Sequence, residues 1–247
     1  MPRFFINKND INQGESLINI RGESYNHIKN VLRMGVGEKL ILCDGEGIDY
    51  NVRITAFGSD YVITQIISYS NSLTEPATNI CLYQGLPKGD KMEQIIQKCV
   101  ELGINRIVPV ICKRSIVKIG NQKDIENKLL RWNKISLEAS KQCNRGIIPA
   151  VSNPVHFEAA ILDSQNYKLR LIPYEEEKNI TIKSILEKNN HPVSTAFFIG
   201  PEGGFEPSEA EFAAQNGLIK VTLGKRILRT ETAGPSVLSI LRYVYGD

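Results

Sequence analysis

The chain has 247 residues and a mass of 27.7 kDa, more than one average domain and fewer than three. With 42% apolar and 23% charged residues it has a globular composition, which excludes disordered, collagen-like and coiled-coil classes. The net charge of +3 is uneven: residues 84–145 hold 13 Lys and Arg against 6 Asp and Glu, which suits a phosphate backbone, whereas 1–73 hold 7 against 8 and 146–247 hold 10 against 12.

The first seventy residues read as a β-rich module. Met1-Pro2-Arg3-Phe4-Phe5 lacks the apolar core of a signal peptide, and no apolar run approaches the ~18 residues that cross a bilayer. A soluble, cytoplasmic chain with no membrane partner is therefore expected. Tyr25, Ile28, Val31 and Leu32 share a helical face that stops at Met34-Gly35. Ile48, Tyr50, Val52, Ile54 and Ala56 alternate with polar neighbours, the period of a half-buried strand. Turns at 44–47 and 58–60 bracket it and predict a small β-barrel over residues 1–72.

Residues 70–76 read as a linker, after which strand and helix alternate. A strand at 80–83 precedes a helix whose start carries Asp90 as cap and Glu93 in the capping-box position. Met92, Ile95, Ile96, Cys99 and Val100 give it an apolar face, and Gly103 ends it. A strand at 107–111 and a long helix over 124–143 follow, the latter with Leu129, Trp132, Ile135 and Ala139 inward. Further strands are predicted at 169–172, 196–199 and 219–223. A final helix has Ala233, Val237, Ile240, Leu241 and Val244 on one face. The fold class is α/β: a mostly parallel sheet covered on both faces, with its ligand site in loops beyond the strands' carboxyl ends.

Cys43, Cys81, Cys99, Cys112 and Cys143 contain no C-x-x-C pair, and His27, His156 and His191 are far apart, so neither a disulfide framework nor a metal site is expected. G-x-x-x-x-G-K-[ST], G-x-G-x-x-G and G-x-S-x-G are all missing. Two other loops stand out. Gly200-Pro201-Glu202-Gly203-Gly204-Phe205 follows the strand at 196–199, where glycines let a ligand approach the backbone closely. Leu223-Gly224-Lys225-Arg226-Ile227-Leu228-Arg229-Thr230-Glu231-Thr232-Ala233 leads into the final helix.

Together these loops resemble the bacterial ribosomal RNA small subunit methyltransferase E family. His27-Ile28, Val31-Leu32-Arg33, Glu101-Leu102-Gly103, Arg114-Ser115 and Glu138-Ala139 with Gln142, Arg145 and Pro149 extend the resemblance over nearly the whole chain. Cys143 and Lys113 depart from the residue types more usual at their places. The resemblance implies S-adenosylmethionine-dependent methylation of N3 of one uridine in 16S rRNA (uracil 1498 in the usual rRNA numbering). It also implies a PUA-like β-barrel over 1–72, a SPOUT domain with a trefoil knot over 73–247, and a homodimer acting on 16S rRNA or the small ribosomal subunit.

For the cofactor, the resemblance implies contacts from Gly200, Glu202, Gly203 and Gly204 in the first loop and from Gly224, Thr232 and Ala233 in the second, with Pro173 nearby. Ile199, Leu223, Ile227 and Leu228 would flank the adenine. Uridine N3 carries a hydrogen that must leave before or during attack. A base or a cation on the imidate oxygens lowers that barrier, and Glu231 and Arg229 are the candidates for the two roles, the alternative being that they pair with one another as structure. Arg3, Arg33, Lys113, Arg114 and Arg145 are the candidate phosphate contacts, and Phe205 or Tyr174 could stack on the flipped base.

Overall fold

The structure is a computed structural model that describes residues 1–12, 14, 16–116, 122–189 and 193–246. His191 and part of the basic stretch, residues 117–121, lie outside the described residues. The chain divides into two compact units, Met1–Glu75 with Ser140–Ile148 and Pro76–Ala139 with Pro149–Asp247.

The first unit is built on a six-stranded sheet that curls into a half-barrel. Its strands are β1 (Arg3–Phe5), β2 (Ile11–Asn12), β3 (Leu17–Arg21), β4 (Lys39–Cys43), β5 (Ile48–Phe57) and β6 (Tyr61–Asn71), ordered β1-β4-β5-β6-β3-β2. All neighbours are antiparallel except β1 and β4. Along β5 the alternation places Tyr50, Val52 and Ile54 in the core with Leu40, Leu42 and Val62. Two register shifts against β6, at Asn51/Val52 and Ile54/Ala56, bend the strand as bulges do.

The short helix of this unit differs from the predicted one. α1 (Gly22–Asn26) runs into a π-turn, His27–Val31, in which the Leu32 amide donates to the His27 carbonyl at 2.9 Å. The wider turn rotates the apolar stripe out of phase. Tyr25 and Ile28 stay buried, while Val31 is 68% and Leu32 41% exposed. Arg33 then ends the helix in the left-handed region at φ 52°.

A buried ion pair ties the 140–148 segment into this unit. Arg145, 3% exposed, holds the Glu75 carboxylate at 2.6 Å, and the amides of Gly146 and Ile147 donate to the same carboxylate. Burial pushes the Glu75 carboxyl up, but the Arg145 guanidinium and the two amides outweigh it and hold it below the ordinary range. Arg145→Ala should therefore cost about 3–5 kcal/mol in denaturant unfolding, since it strands a buried carboxylate. The sign of the pH effect follows from the lowered carboxyl. Glu75 contributes stability above the unfolded carboxylate value of about 4.3, and that contribution is lost as pH falls through the lower folded value. A flat acid-side stability curve would contradict this.

The second unit carries a parallel sheet ordered β10-β8-β7-β12-β11-β13, with β9 beside β8. The strands are β7 (Asn79–Gly85), β8 (Arg106–Ile111), β9 (Ala150–Val151), β10 (Val155–His156), β11 (Leu169–Pro173), β12 (Ser194–Ile199) and β13 (Ile219–Val221). The central strands are mostly apolar, with Ile80–Tyr83 and Ala196–Ile199 as unbroken runs, because both faces are covered. On one face Tyr83 stacks on Phe198 with ring centroids 4.4 Å apart, among Phe157, Ala160, Ile161, Ala213 and Leu218 from the helices α4 (Phe157–Asp163) and α6 (Pro207–Gln215) and the turn after α6. The helices α2 (Lys91–Glu101) and α7 (Thr230–Tyr245) pack together, and α7 also packs on β7 and β12. The remaining helices are α3 (Gln122–Gln142) and α5 (Ile182–Lys188).

α2 buries the five residues its periodicity predicts. The expected Asp90 cap does not form: Asp90 makes no side-chain cap bond, and Glu93 reaches Arg131 at 2.7 Å instead. In α7 the buried stripe is Ala233, Gly234, Val237, Leu238 and Leu241, so Ile240 and Val244 fall outside it, beside the exposed Tyr243. Among the described residues no helix is long and apolar enough to cross a membrane.

Candidate functional site

At the carboxyl ends of β11, β12 and β13 the connecting loops enclose a cavity of about 790 Å³, the size of a nucleotide-scale ligand site. Its walls are the loop after β12, the loop from Thr222 to α7, and the residues that follow β11. Gly200 and Gly204 close the first loop. The Gly204 amide donates to the Pro201 carbonyl at 3.0 Å, and Gly204 sits at φ +68°, a conformation side chains resist. A Cβ on Gly200 would lie 3.0 Å from the Gly204 backbone. The second loop is held by the Thr222 hydroxyl, which accepts from the Gly224 amide at 3.2 Å.

The cavity is lined by Pro173, Ile199, Gly200, Glu202 and Gly204 from one side and by Leu223, Gly224, Ile227, Leu228 and Ala233 from the other. Arg229 and Glu231 also face it. Gly203 and Thr232 do not line it: the Gly203 carbonyl accepts from Arg114 at 2.9 Å, and Thr232 lies on the exposed side of α7's first turn. Arg229 is the residue before α7. Its backbone carbonyl accepts from Thr232 and Ala233, and its exposed guanidinium has no hydrogen-bond or ion-pair partner among the described residues. Glu231 does not pair with it.

Instead Lys91, at the start of α2, sits between two carboxylates, 3.0 Å from Glu202 and 3.6 Å from Glu231. The Glu202 hydrogen bond holds the Lys91 ammonium above its ordinary value. Burial pushes the Glu202 carboxyl up, but Lys91 and the backbone amides of Glu202 and Lys88 bring it below the carboxylate range. The two opposite shifts have one cause, the close Lys91–Glu202 pair, and each favours the charged form of its group. In sequence Lys91 carries no signal of its own, because it reads as one helix-start lysine among several in the basic stretch.

The candidate phosphate contacts separate. Arg33 is exposed, and Lys113 is exposed with its Nζ donating to the neutral Ser208 hydroxyl at 3.0 Å, so both keep their charge outward. Arg114 bonds Glu206 at 2.7 Å and lies 4.0 Å from Glu175. Arg3 is held by Asp49 at 2.7 Å and by the Asn144 carbonyl. Arg145 is the buried partner of Glu75, which commits it to the fold instead of to a phosphate. Phe205 is a core aromatic 5.5 Å from Phe157, whereas Tyr174 lines the cavity.

The RNA methyltransferase domain family matches residues 74–242, and the RNA methyltransferase PUA domain family matches residues 20–67. Fold, cavity and these matches define the class: an RNA methyltransferase with an N-terminal PUA domain. The ribosomal RNA small subunit methyltransferase E of Bacillus subtilis is 34% identical, over 98% of this chain and 96% of its own. That of Neisseria gonorrhoeae, in a crystal structure bound to S-adenosylmethionine, is 31% identical with a TM-score of 0.85, over 100% of this chain and 99% of its own. A methyltransferase of Legionella pneumophila with the bound cofactor is 32% identical, with a TM-score of 0.84 over 99% and 98%. The chain belongs to the ribosomal RNA small subunit methyltransferase E family, enzymes that methylate ribosomal RNA.

Proposed function

We propose that this chain binds S-adenosylmethionine in the cavity between the two loops and methylates N3 of a specific uridine in 16S rRNA, in the cytoplasm. The observation that carries the reading is the cavity itself, glycine-walled at Gly200 and Gly204 and edged by Arg229, whose guanidinium is unpaired among the described residues. The residues present fit the cofactor. Ile199, Leu223, Ile227 and Leu228 offer apolar walls to an adenine, and the glycine backbone offers amides and carbonyls without side chains in the way. When bound, the cofactor supplies an electrophilic methyl group.

The chain's own residues must then make uridine N3 nucleophilic. Arg229, without a hydrogen-bond or ion-pair partner among the described residues, is placed to stabilise negative charge spreading onto the uracil oxygens as the imide proton leaves. Glu231 is the candidate base, and Lys91 lies 3.6 Å from its carboxylate and orients it. Tyr174 offers the flipped base a stacking face at the cavity wall. In this reading residues 1–72 are the RNA-binding domain and 73–247 the SPOUT domain, knotted through the two loops. The exposed apolar residues Ile240, Tyr243 and Val244 on α7 support a homodimer.

Incubation with methyl-labelled S-adenosylmethionine and small ribosomal subunits from cells lacking the enzyme tests the reading. Label is expected in 16S rRNA, and label confined to another RNA would contradict it. Arg33 and Lys113 give a further check. Replacing both with alanine should weaken rRNA binding and lower its salt slope by about 2, one for each lost phosphate contact. Cofactor affinity should not move. An unchanged slope would remove both residues from the interface.

A further inference from the structure

The strand β7 is apolar along its buried length except at Gln84, which is completely buried. An amide in such a place needs a reason, since its Oε1 has no hydrogen-bond partner among the described residues. The reason lies in its other end. Gln84 Nε2 donates to the Gly85 carbonyl at 2.9 Å and to the Thr230 hydroxyl at 2.8 Å. The Thr230 hydroxyl in turn donates to the Gly200 carbonyl at 2.7 Å.

The polarity of this chain of bonds is forced. The Gly85 carbonyl can only accept, so the NH₂ end of the amide must face it, and an amide flip would set oxygen against oxygen. Thr230 then accepts from Gln84 and has its single hydrogen left for Gly200. Close packing reinforces the link. A Cβ on Gly85 would lie 2.6 Å from Pro201 Cδ and 2.7 Å from Pro201 N, so the end of β7 rests directly on the glycine loop. Three segments meet at one hydroxyl: the end of β7, the loop after β12, and the first residue of α7, which follows Arg229.

We infer that Gln84 and Thr230 are positioning residues, a buried hydrogen-bond relay that locks the two cavity loops in register with each other. The inference rests on the reading of the cavity as the cofactor site. Neither side chain touches the reacting atoms in this account. Thr230 fixes the Gly200 carbonyl on one wall and the backbone beside Arg229 on the other, and Gln84 fixes Thr230. The ligand then meets loops that are already ordered and loses less entropy on binding.

The test uses the full-length protein. Thr230→Val keeps the branched shape and removes the hydroxyl. It should raise the S-adenosylmethionine Kd about tenfold, the scale of one net hydrogen bond, and KM with it. kcat should change less, because the clamp acts on ligand binding before the chemical step. Thr230→Ser should restore Kd to within about threefold, which a purely space-filling role would not do. Gln84→Met, similar in volume and lacking the donor, should reproduce the Thr230→Val effect. It also decides the matter if Thr230→Val fails to fold. Amide exchange at Gly204 in the ligand-free protein gives an independent readout and should quicken in both variants. Wild-type Kd and wild-type exchange in a folded Thr230→Val or Gln84→Met protein would overturn the clamp. A wild-type protein that binds no S-adenosylmethionine would instead overturn the cofactor reading, with the exchange arm still judging the clamp.

Discussion

Arg229→Ala is expected to lower kcat by roughly 10²-fold or more, the scale of removing one preorganised donor from a developing oxyanion. Its structural cost should be small. The Arg229 guanidinium is exposed and unpaired among the described residues, and only its backbone carbonyl serves α7. Cofactor affinity and rRNA affinity should therefore stay near wild type, because the lost interaction strengthens only in the transition state. Arg229→Lys should recover part of the rate, since a point-like ammonium replaces a planar fork of donors. The measurement is single-turnover methylation alongside calorimetric cofactor binding. Loss of both kcat and thermal stability in Arg229→Ala would make the residue structural. Glu231 gives the contrasting result: Glu231→Gln removes a carboxylate that also holds Lys91, so it should disturb cofactor binding as well as rate.

Gly204→Val should abolish measurable S-adenosylmethionine binding, by calorimetry up to about 100 times the wild-type Kd. Two effects act together. The residue sits at φ +68°, which for a β-branched side chain costs about 1–3 kcal/mol. A Cβ there would also stand 2.7 Å from the Glu175 carboxylate, which lines the same cavity. The strain should appear as a fall of a few degrees in Tm, so the variant is folded but weakened. Gly203→Ala is the control. Its Cβ would meet the aliphatic part of Arg114 at 3.2 Å, outside the cavity lining, and cofactor binding should barely change. Equal losses in the two variants would show that the loop tolerates no side chain at all, and would remove the cavity wall from the explanation.

Much of the second unit was legible because its signals are local. The 3.6-residue apolar period of α2 and the continuous apolar runs of β7, β8 and β12 both follow from burial against near neighbours. The glycine loops were legible for the same reason, since Gly204 marks a backbone conformation written in one residue. What escaped was decided by partners distant in sequence. Glu75 and Arg145 are 70 positions apart, and their ion pair draws Ser140–Ile148 into the first unit. Gln84 and Thr230 are 146 apart, and Gln84 falls just past the strand predicted at 80–83. The π-turn at His27–Val31 escaped because the apolar spacing presumes 3.6 residues per turn, and one widened turn sends Val31 and Leu32 outward. In α7 the apolar residues outnumber what one face can bury, so composition alone could not say that Ile240 and Val244 lie outside.

The central claim is a methyl group delivered to N3 of one uridine from a cofactor held between the two loops. Nucleoside mass spectrometry tests it most directly, on 16S rRNA digested after reaction with the purified protein and S-adenosylmethionine. Wild-type protein is expected to yield 3-methyluridine, and Arg229→Ala to yield it at a rate reduced roughly 10²-fold. A methyl group on a ribose 2′-oxygen, or on a base other than uracil, would contradict it.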